Sequence, residues 1–258
     1  MKQGIWLLPT RRRIEKLRQF IEACGRTGMT TPLLILVNEN ELIEMWDEYS
    51  SLPLPACWAL CPTKAEGLGD KVREQWPAVR NLDWCGLIVD DVIPHTYLWD
   101  RLMIEQVNGK NVVSCDDGKL APARMAGCVI WGGELMRSVG YMFPPGFWHT
   151  YVDNVWEDLG NITGCWDIRM DVLITHDHGF EHVDGRDETF QRSYEKNSED
   201  ELAYAEWRML EFMPAIKRIS EMQGFEFKLP KSKRSFFDKV KSLIYNPRVA
   251  EPTQGVRP

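Results

Sequence analysis

Two adjacent carboxylates, Asp90 and Asp91, stand directly after the apolar run at residues 86–89. Four consecutive residues of this kind are typical of a strand that is buried on both faces of a sheet. In α/β proteins, ligands bind beyond the carboxyl ends of the strands. Carboxylates at such a place can hold a divalent cation, which can in turn hold a phosphate. The alternative is that the two aspartates only end a strand and begin a turn.

Strands and helices are predicted to alternate in the first part of the chain. The sheet that these strands form would position the two aspartates. Apolar runs bounded by turn residues predict the strands, and apolar residues at helical spacing predict the helices. The predicted strands are residues 4–9, 32–37, 56–60 and 86–89, and the predicted helices are residues 11–24, 41–49, 70–76 and 97–106. Such βαβ units form a mostly parallel sheet with right-handed crossovers.

The pattern changes after the two aspartates. The predicted strands are residues 111–115, 127–131 and 168–174, and the predicted helices are residues 133–139 and 153–159. Residues 143–149 form a loop rich in aromatic side chains, and the polar stretch up to residue 197 is predicted to be a loop or lid. A helix is predicted over residues 198–213, where Pro214 breaks or kinks it before it resumes toward residue 224.

The composition is that of a soluble globular protein with a sizeable core. Of the 258 residues, 44% are hydrophobic and 27% are charged. The net charge of −7 argues against broad nonspecific binding to nucleic acid but leaves room for a local basic patch. The seven cysteines, several of them in apolar runs, are typical of reduced thiols in a cytosolic protein. Because no apolar stretch reaches about 18 residues, we expect a cytoplasmic protein without a membrane partner.

The order of these motifs resembles a glycosyltransferase of the GT-A fold, nearest to the large inverting group called family 2. The resemblance covers roughly residues 4–180 and implies an α/β fold with a mostly parallel, Rossmann-like central sheet and flanking helices. Residues 1–197 would be the GT-A-like catalytic domain, residues 198–245 a helical extension with a basic segment, and residues 246–258 a disordered tail. The motifs that carry it are Pro9-Thr10-Arg11, Asp90-Asp91, GCVIWGGELMRSVG at residues 127–140, Asp153 before a helix, and a strand that ends in histidine.

The resemblance implies transfer of a sugar from a nucleotide diphosphate sugar, with Mn²⁺ or Mg²⁺ stabilising the departing diphosphate as a Lewis acid. Asp90 and Asp91 match the family's acidic motif, usually Asp-x-Asp, although Val92 stands at its third position. His176 and His178 match the place of a further metal or diphosphate contact. Two surface histidines in a polar loop are the alternative.

The remaining site residues also follow from the resemblance. Asp153 matches the catalytic base that takes the acceptor's proton, although it could equally be a helix N-cap. Trp148 could stack on a sugar or a base, or its loop could be a hydrophobic plug. The predicted donor-binding residues are Pro9, Thr10, Arg11, Asn38, Lys64 and Asp90, and the predicted sugar or acceptor residues are Trp131, Gly133, Glu134 and Trp148.

Two observations bear on the acceptor, namely a likeness to phage enzymes and a basic segment near the end of the chain. The segment FPPGFWHTYVDNVW, followed by ITHDH, is similar to compact glycosyltransferases of bacteriophages, which often modify hydroxymethylated pyrimidines in DNA. Residues 228–241 are basic with interleaved aromatics, so Lys231, Lys233 and Arg234 could contact DNA phosphates, or the segment could be an amphipathic helix packed on the sheet. A saccharide or surface component is the other acceptor. Nucleotidyl transfer ranks lower, because no glycine-rich phosphate loop follows the first strand.

Overall fold

The first four strands of the chain run parallel and form one half of a central sheet. A computed structural model describes residues 2–119, 127–176 and 188–226. These strands lie in the order β3-β2-β1-β4, as the predicted βαβ alternation requires. The elements of this half are β1 (Gly4–Pro9), α1 (Ile14–Thr27), β2 (Leu33–Asn38), α2 (Glu39–Glu44), α3 (Trp46–Ser50), β3 (Trp58–Thr63), α4 (Leu68–Glu74), α5 (Trp76–Val79) and β4 (Trp84–Ile88).

The second half of the sheet is mixed. Its strands extend the order to β3-β2-β1-β4-β7-β6-β8-β5, and four of the seven pairings among the described residues are parallel. Strand β7 is antiparallel to both β4 and β6, and the end of β8 pairs antiparallel with β5. The elements are β5 (Val92–Pro94), α6 (Trp99–Gln106), β6 (Val112–Asp116), β7 (Cys128–Gly132), α7 (Gly133–Val139), α8 (Val152–Thr163), β8 (Trp166–His176), α9 (Glu188–Leu210) and α10 (Phe212–Gln223).

Hydrophobic layers cover both faces of the sheet, which is the arrangement that continuous apolar strands predict. In β1, Trp6 and Leu8 pack into the layer that contains α1 and α6, whereas Leu7 packs into the layer that contains α4 and α7–α10. The predicted α/β fold with flanking helices and a helical C-terminal portion is therefore confirmed.

Two tryptophan–glycine pairs lie across the contact between β1 and β4. Trp6 lies opposite Gly86, and Gly4 lies opposite Trp84. A Cβ atom at Gly86 would lie 2.1 Å from the Trp6 ring, and one at Gly4 would lie 2.1 Å from the Trp84 ring. Only glycine leaves room for the indoles here, so this register is strongly specified. The same register brings Thr10, just after β1, beside Asp90, just after β4.

Several predicted elements differ from the structure. The helix predicted over residues 41–49 is two short helices, α2 and α3, because the chain leaves helical geometry at Met45. Strand β3 continues past residue 60 to Thr63 through Pro62, which an edge strand tolerates. The helix predicted to start at residue 198 begins at Glu188, so residues 188–197 are helical and not a loop. The predicted domain boundary after residue 197 falls inside this continuous helix.

The basic segment and the tail lie outside the described residues, as do Lys231, Lys233 and Arg234. Among the described helices, none combines the length and the apolar character that crossing a membrane requires.

Candidate functional site

The carboxyl ends of β1, β4 and β8 meet around a cavity of about 220 Å³. Helix α4, the loop before α8, and the first turns of α9 complete its wall. The lining residues are Pro9, Thr10, Arg11, Arg13, Glu66, Leu68, Lys71, Val89, Asp90, Asp91, Trp148, His149, Thr150, His176, Thr189 and Ser193.

A single guanidinium joins the two aspartates. Arg13 Nη1 donates to Asp90 Oδ1 at 2.9 Å and to Asp91 Oδ2 at 3.0 Å. Thr10 Oγ1 donates to Asp90 Oδ2 at 2.6 Å, and His176 Nε2 lies 3.1 Å from Asp91 Oδ1. Five side chains, from the ends of β1, β4 and β8 and from the N-cap of α1, thus form one hydrogen-bonded cluster on the cavity wall.

The two carboxylates are held in different electrostatic states. Burial raises the pKa of Asp90, which is 4% exposed, and the charge of Arg13 opposes this shift. Burial would also raise the pKa of Asp91, but its hydrogen bond to His176 and the charges of His176 and Arg13 prevail and lower it. Asp91 is therefore the member of the pair that is held firmly ionised at neutral pH.

The cluster offers a partial ligand set for a divalent cation. Carboxylate oxygens and imidazole nitrogens are ligands that Mn²⁺ accepts, and Asp91 and His176 supply one of each. Both oxygens of Asp90 already accept hydrogen bonds, from Thr10 and Arg13. In the described ranges, no group of three or more His, Cys, Asp or Glu side chains is arranged to hold a metal. His178 lies outside those ranges.

Lys71 of α4 is a buried cation beside the cavity that the sequence reasoning missed. It is 2% exposed, and its Nζ donates to the carbonyl oxygens of Thr10 at 2.6 Å and Leu36 at 3.4 Å. Burial lowers its pKa to about 8, although the charges of Glu41 and Asp90 act in the opposite direction. A lysine in a polar helix is normally solvated, so its sequence position carried no signal.

The aromatic loop divides between the cavity wall and the core. Trp148 lines the cavity and packs so closely on α4 that a Cβ at Gly67 would lie 2.6 Å from its Nε1. The backbone N–H of Gly69 donates to the Trp148 carbonyl oxygen at 2.8 Å. Phe143 and Phe147 are buried in the core, so the plug interpretation describes these two residues and not Trp148.

His149, next to Trp148, was also missed as a separate site residue. It is half-buried and lines the cavity. Burial lowers the pKa of its imidazole from the ordinary value of a histidine, and the charges of Asp91 and Asp200 oppose this shift. Its imidazole is therefore neutral at pH 7, able to accept or donate a hydrogen bond to a ligand.

The first turns of α9 cover one side of the cavity. Thr189 Oγ1 donates to the backbone oxygen of Arg11 at 3.1 Å, and Arg11 Nη2 pairs with Glu188 Oε1 at 3.0 Å. Farther along α9, Arg192 pairs with Glu66 at 2.7 Å. The described part of the region predicted as a loop or lid is therefore a helix that lines the cavity with Thr189 and Ser193.

Comparison with solved structures identifies the architecture. The mannosyltransferase PcManGT from Pyrobaculum calidifontis, in complex with GDP-Man and Mn²⁺, matches at a TM-score of 0.51 and 9% identity, over 94% of this chain and 81% of that chain. S. aureus TarS 1-349 matches at a TM-score of 0.55 and 8% identity, over 95% of this chain and 80% of that chain. GalNAc-T7 with UDP, GalNAc and Mn²⁺ matches at a TM-score of 0.59 and 11% identity, over 97% of this chain and 57% of that chain. All three are GT-A glycosyltransferases.

The chain has the GT-A fold. No protein-family model matches the sequence, and no curated protein is significantly similar to it. At identities of 8–11%, the likeness establishes the architecture, and the activity must be inferred from the chemistry of the site.

Two predicted donor-binding residues, Asn38 and Lys64, do not line the cavity, and Asn38 instead holds the loop that contains Lys64. Asn38 Oδ1 accepts from the backbone N–H of Asn40 at 3.0 Å and so caps α2. Asn38 Nδ2 also donates to the carbonyl oxygens of Lys64 and Ala65, at 3.4 and 3.3 Å. Both Asn38 and Lys64 lie at the predicted sheet edge, but neither is among the described residues that line the cavity.

Three predicted sugar or acceptor residues lie elsewhere in the GT-A fold. Because β7 runs antiparallel to β4, Trp131 pairs with Cys85 at the start of β4, at the edge opposite Asp90. Trp131 is buried against Trp156, and Glu134 lies 3.8 Å from Lys110. Gly133, at the start of α7, is at this opposite edge too. The structure therefore does not bring these three residues to the cavity, since sequence alone did not reveal the direction of β7.

Asp153 lies in the first turn of α8, three residues beyond Thr150 of the cavity wall. It is half-buried and is not among the described lining residues. The N-cap position belongs to Tyr151, whose φ is 65°, so the N-cap interpretation of Asp153 is wrong.

Proposed function

We propose that this chain is a glycosyltransferase that moves a sugar from a nucleotide diphosphate sugar to an acceptor hydroxyl. The observation that carries the proposal is the cavity at the carboxyl edge of a GT-A sheet, where an ionised Asp91 stands beside His176 and several cations. Ligands of α/β sheets bind at this edge. PcManGT was solved with GDP-Man and Mn²⁺, and GalNAc-T7 with UDP, GalNAc and Mn²⁺.

The donor's diphosphate would lie against the ends of β1 and β4. Arg11 lines the cavity, and its Nη1 is buried without a hydrogen-bond partner among the described residues. A buried donor of this kind favours an anionic ligand, because a guanidinium–phosphate hydrogen bond would remove the penalty of the unmade bond. Pro9, Thr10 and Asp90 would line the same part of the donor site, and Trp148 would stack on the base or the sugar.

Asp91 and His176 would hold a Mn²⁺ or Mg²⁺ ion, with His178 as a further ligand. Asp90, bonded to Thr10 and Arg13, would orient the neighbouring Asp91 and contribute through its remaining lone pairs. When bound, the ion offsets the negative charge of the departing diphosphate.

Asp153 would act as the general base of an inverting transfer. It would take the proton of the acceptor hydroxyl as that oxygen attacks the anomeric carbon from the side opposite the diphosphate. Its place in the first turn of α8 keeps a carboxylate ionised, since the helix N-terminus favours negative charge. Such assistance accelerates transfer by roughly 10² to 10⁴.

The proposed acceptor is a hydroxymethylated pyrimidine in phage DNA, with a saccharide or surface component as the alternative. With a net charge of −7, the chain would need a local cationic segment to hold DNA. Lys231, Lys233 and Arg234 would supply it, in a part of the chain outside the described residues. A DNA acceptor would place the reaction in the cytoplasm of an infected cell.

A thermal-shift screen of UDP-, GDP-, ADP- and dTDP-sugars, with and without Mn²⁺, tests the donor. We expect one nucleotide class to raise Tm by several degrees, as ligand binding to the folded state requires. The stabilising donor is then incubated with hydroxymethylated DNA, unmodified DNA or oligosaccharides, and the release of nucleoside diphosphate is measured. Stabilisation by no nucleotide sugar, or pyrophosphate release from a nucleoside triphosphate in its place, would contradict the proposal.

A further inference from the structure

One carboxylate of α9 holds the backbone of the cavity wall from behind. Asp200 is fully buried. Its Oδ1 accepts from the N–H of Trp148 at 2.5 Å. Its Oδ2 accepts from the N–H of His149 at 2.9 Å and of Thr150 at 2.7 Å, and from the Thr150 hydroxyl at 2.9 Å. Four hydrogen bonds from three consecutive residues thus converge on a side chain that is not itself among the described lining residues.

The chemistry of this contact requires a carboxylate. A buried charge is tolerated only when hydrogen bonds replace its hydration. Ionised aspartate is an acceptor at both oxygens, so it matches three backbone N–H groups and a hydroxyl. An asparagine would turn an NH₂ group toward at least one of these N–H donors, which would leave that donor unpaired.

The same helix also fixes the chain where the loop enters α8. Tyr151 follows Thr150 in a left-handed conformation, and its ring stacks on that of Tyr204 at 5.3 Å. Tyr204 lies one helical turn after Asp200 on the same face of α9. Its hydroxyl donates to Asp158 of α8 at 2.6 Å. Helix α9 therefore holds the loop and α8 through two consecutive turns.

We propose that Asp200 is a positioning residue for the cavity. By holding the amides of residues 148–150, it fixes the side chains of Trp148 and His149 in the wall against which a ligand binds. The strength of ligand binding then depends on a residue of α9 that does not touch the ligand. The proposal rests on the proposed function only for the identity of the ligand, a nucleoside diphosphate.

The test compares Asp200→Asn with Asp158→Asn in the full chain. Asp158 is a matched control, because it is an aspartate of the same α8–α9 contact that bonds Tyr204 and Arg208. Hydrogen exchange is measured by mass spectrometry on peptides that cover residues 147–151, and affinities for UDP and GDP with Mn²⁺ by calorimetry. We expect Asp200→Asn to speed exchange there and to weaken binding of the nucleotide by about tenfold. Asp158→Asn should lower Tm and change neither readout.

A purely structural role would be shown if both variants lowered Tm equally and neither altered exchange or affinity. If Asp200→Asn does not fold, Thr150→Val removes one of the four bonds with little change in volume. It should speed exchange of the same peptides, and unchanged exchange would overturn the proposal. If the wild-type protein binds neither nucleotide, the proposed function fails, while exchange at residues 148–150 still decides the role of Asp200.

Discussion

Replacing Lys71 by methionine should change how the stability of the protein depends on pH. The Lys71 ammonium is 2% exposed, and burial lowers its pKa from 10.5 to about 8. The folded state therefore binds this proton less tightly than the unfolded state does. Methionine removes the titrating group and fills a similar, unbranched volume.

The size of the effect follows from proton linkage. Below pH 8 the lysine is charged in both the folded and the unfolded state. Burying this charge then lowers the free energy of unfolding by about 3 kcal/mol. As pH rises from 8 toward 10.5, the folded state loses the proton first, so the penalty falls to about 2 kcal/mol at pH 9. Loss of the bond to the Thr10 oxygen offsets part of the gain from methionine at every pH. The decisive quantity is therefore how the difference in unfolding free energy between Lys71→Met and the wild-type protein changes with pH.

Urea unfolding of both proteins at pH 7, 8 and 9 measures this quantity. The stability of Lys71→Met relative to wild type should decrease by about 1 kcal/mol between pH 7 and pH 9. Lys217→Met, which removes a side chain that is 75% exposed, is the control and should show no such change. A difference that stays constant across this range for Lys71→Met would refute the inference that Lys71 is buried as a destabilised cation.

Three further predictions concern the cavity. Asp153→Asn should lower the transfer rate by roughly 10² to 10⁴ and leave the donor Kd unchanged, so a weakened donor Kd would remove the base assignment. Asp91→Asn should abolish the part of the nucleotide-induced rise in Tm that depends on Mn²⁺, and an unaltered rise would mean that Asp91 holds no metal. Gly67→Ala should displace Trp148, because the new Cβ would lie 2.6 Å from its ring, and should weaken nucleotide binding measured by calorimetry. Its control is Gly25→Ala, where nothing in the described structure lies within 4 Å of the new Cβ. If neither variant changed the affinity for the nucleotide, Trp148 would not contact the ligand.

The sequence by itself determined the alternation of strands and helices and the edge at which the site lies. Thr10 and Asp90 each follow a strand that its apolar pattern identifies, and the carboxyl ends of neighbouring parallel strands meet at one edge. The meeting of these two residues could therefore be predicted without coordinates. His176 ends β8, which two strands separate from β4, so its place beside Asp91 depends on the direction of the later strands. The roles of these residues in binding or catalysis remain predictions.

The tertiary structure alone decided which polar side chains are buried and which way the later strands run. Lys71 and Asp200 occur in helices whose sequences look solvated, and only packing shows that backbone carbonyls surround one and backbone amides the other. The resemblance put Glu134 at the sugar or acceptor site, but Glu134 follows β7, and β7 runs antiparallel to β4, so this residue lies at the opposite edge. The spacing of apolar and polar residues predicts the secondary structure of a segment and which of its faces is buried. Burial of a charge and strand direction depend on contacts between residues far apart in sequence, and these exist only in the folded chain.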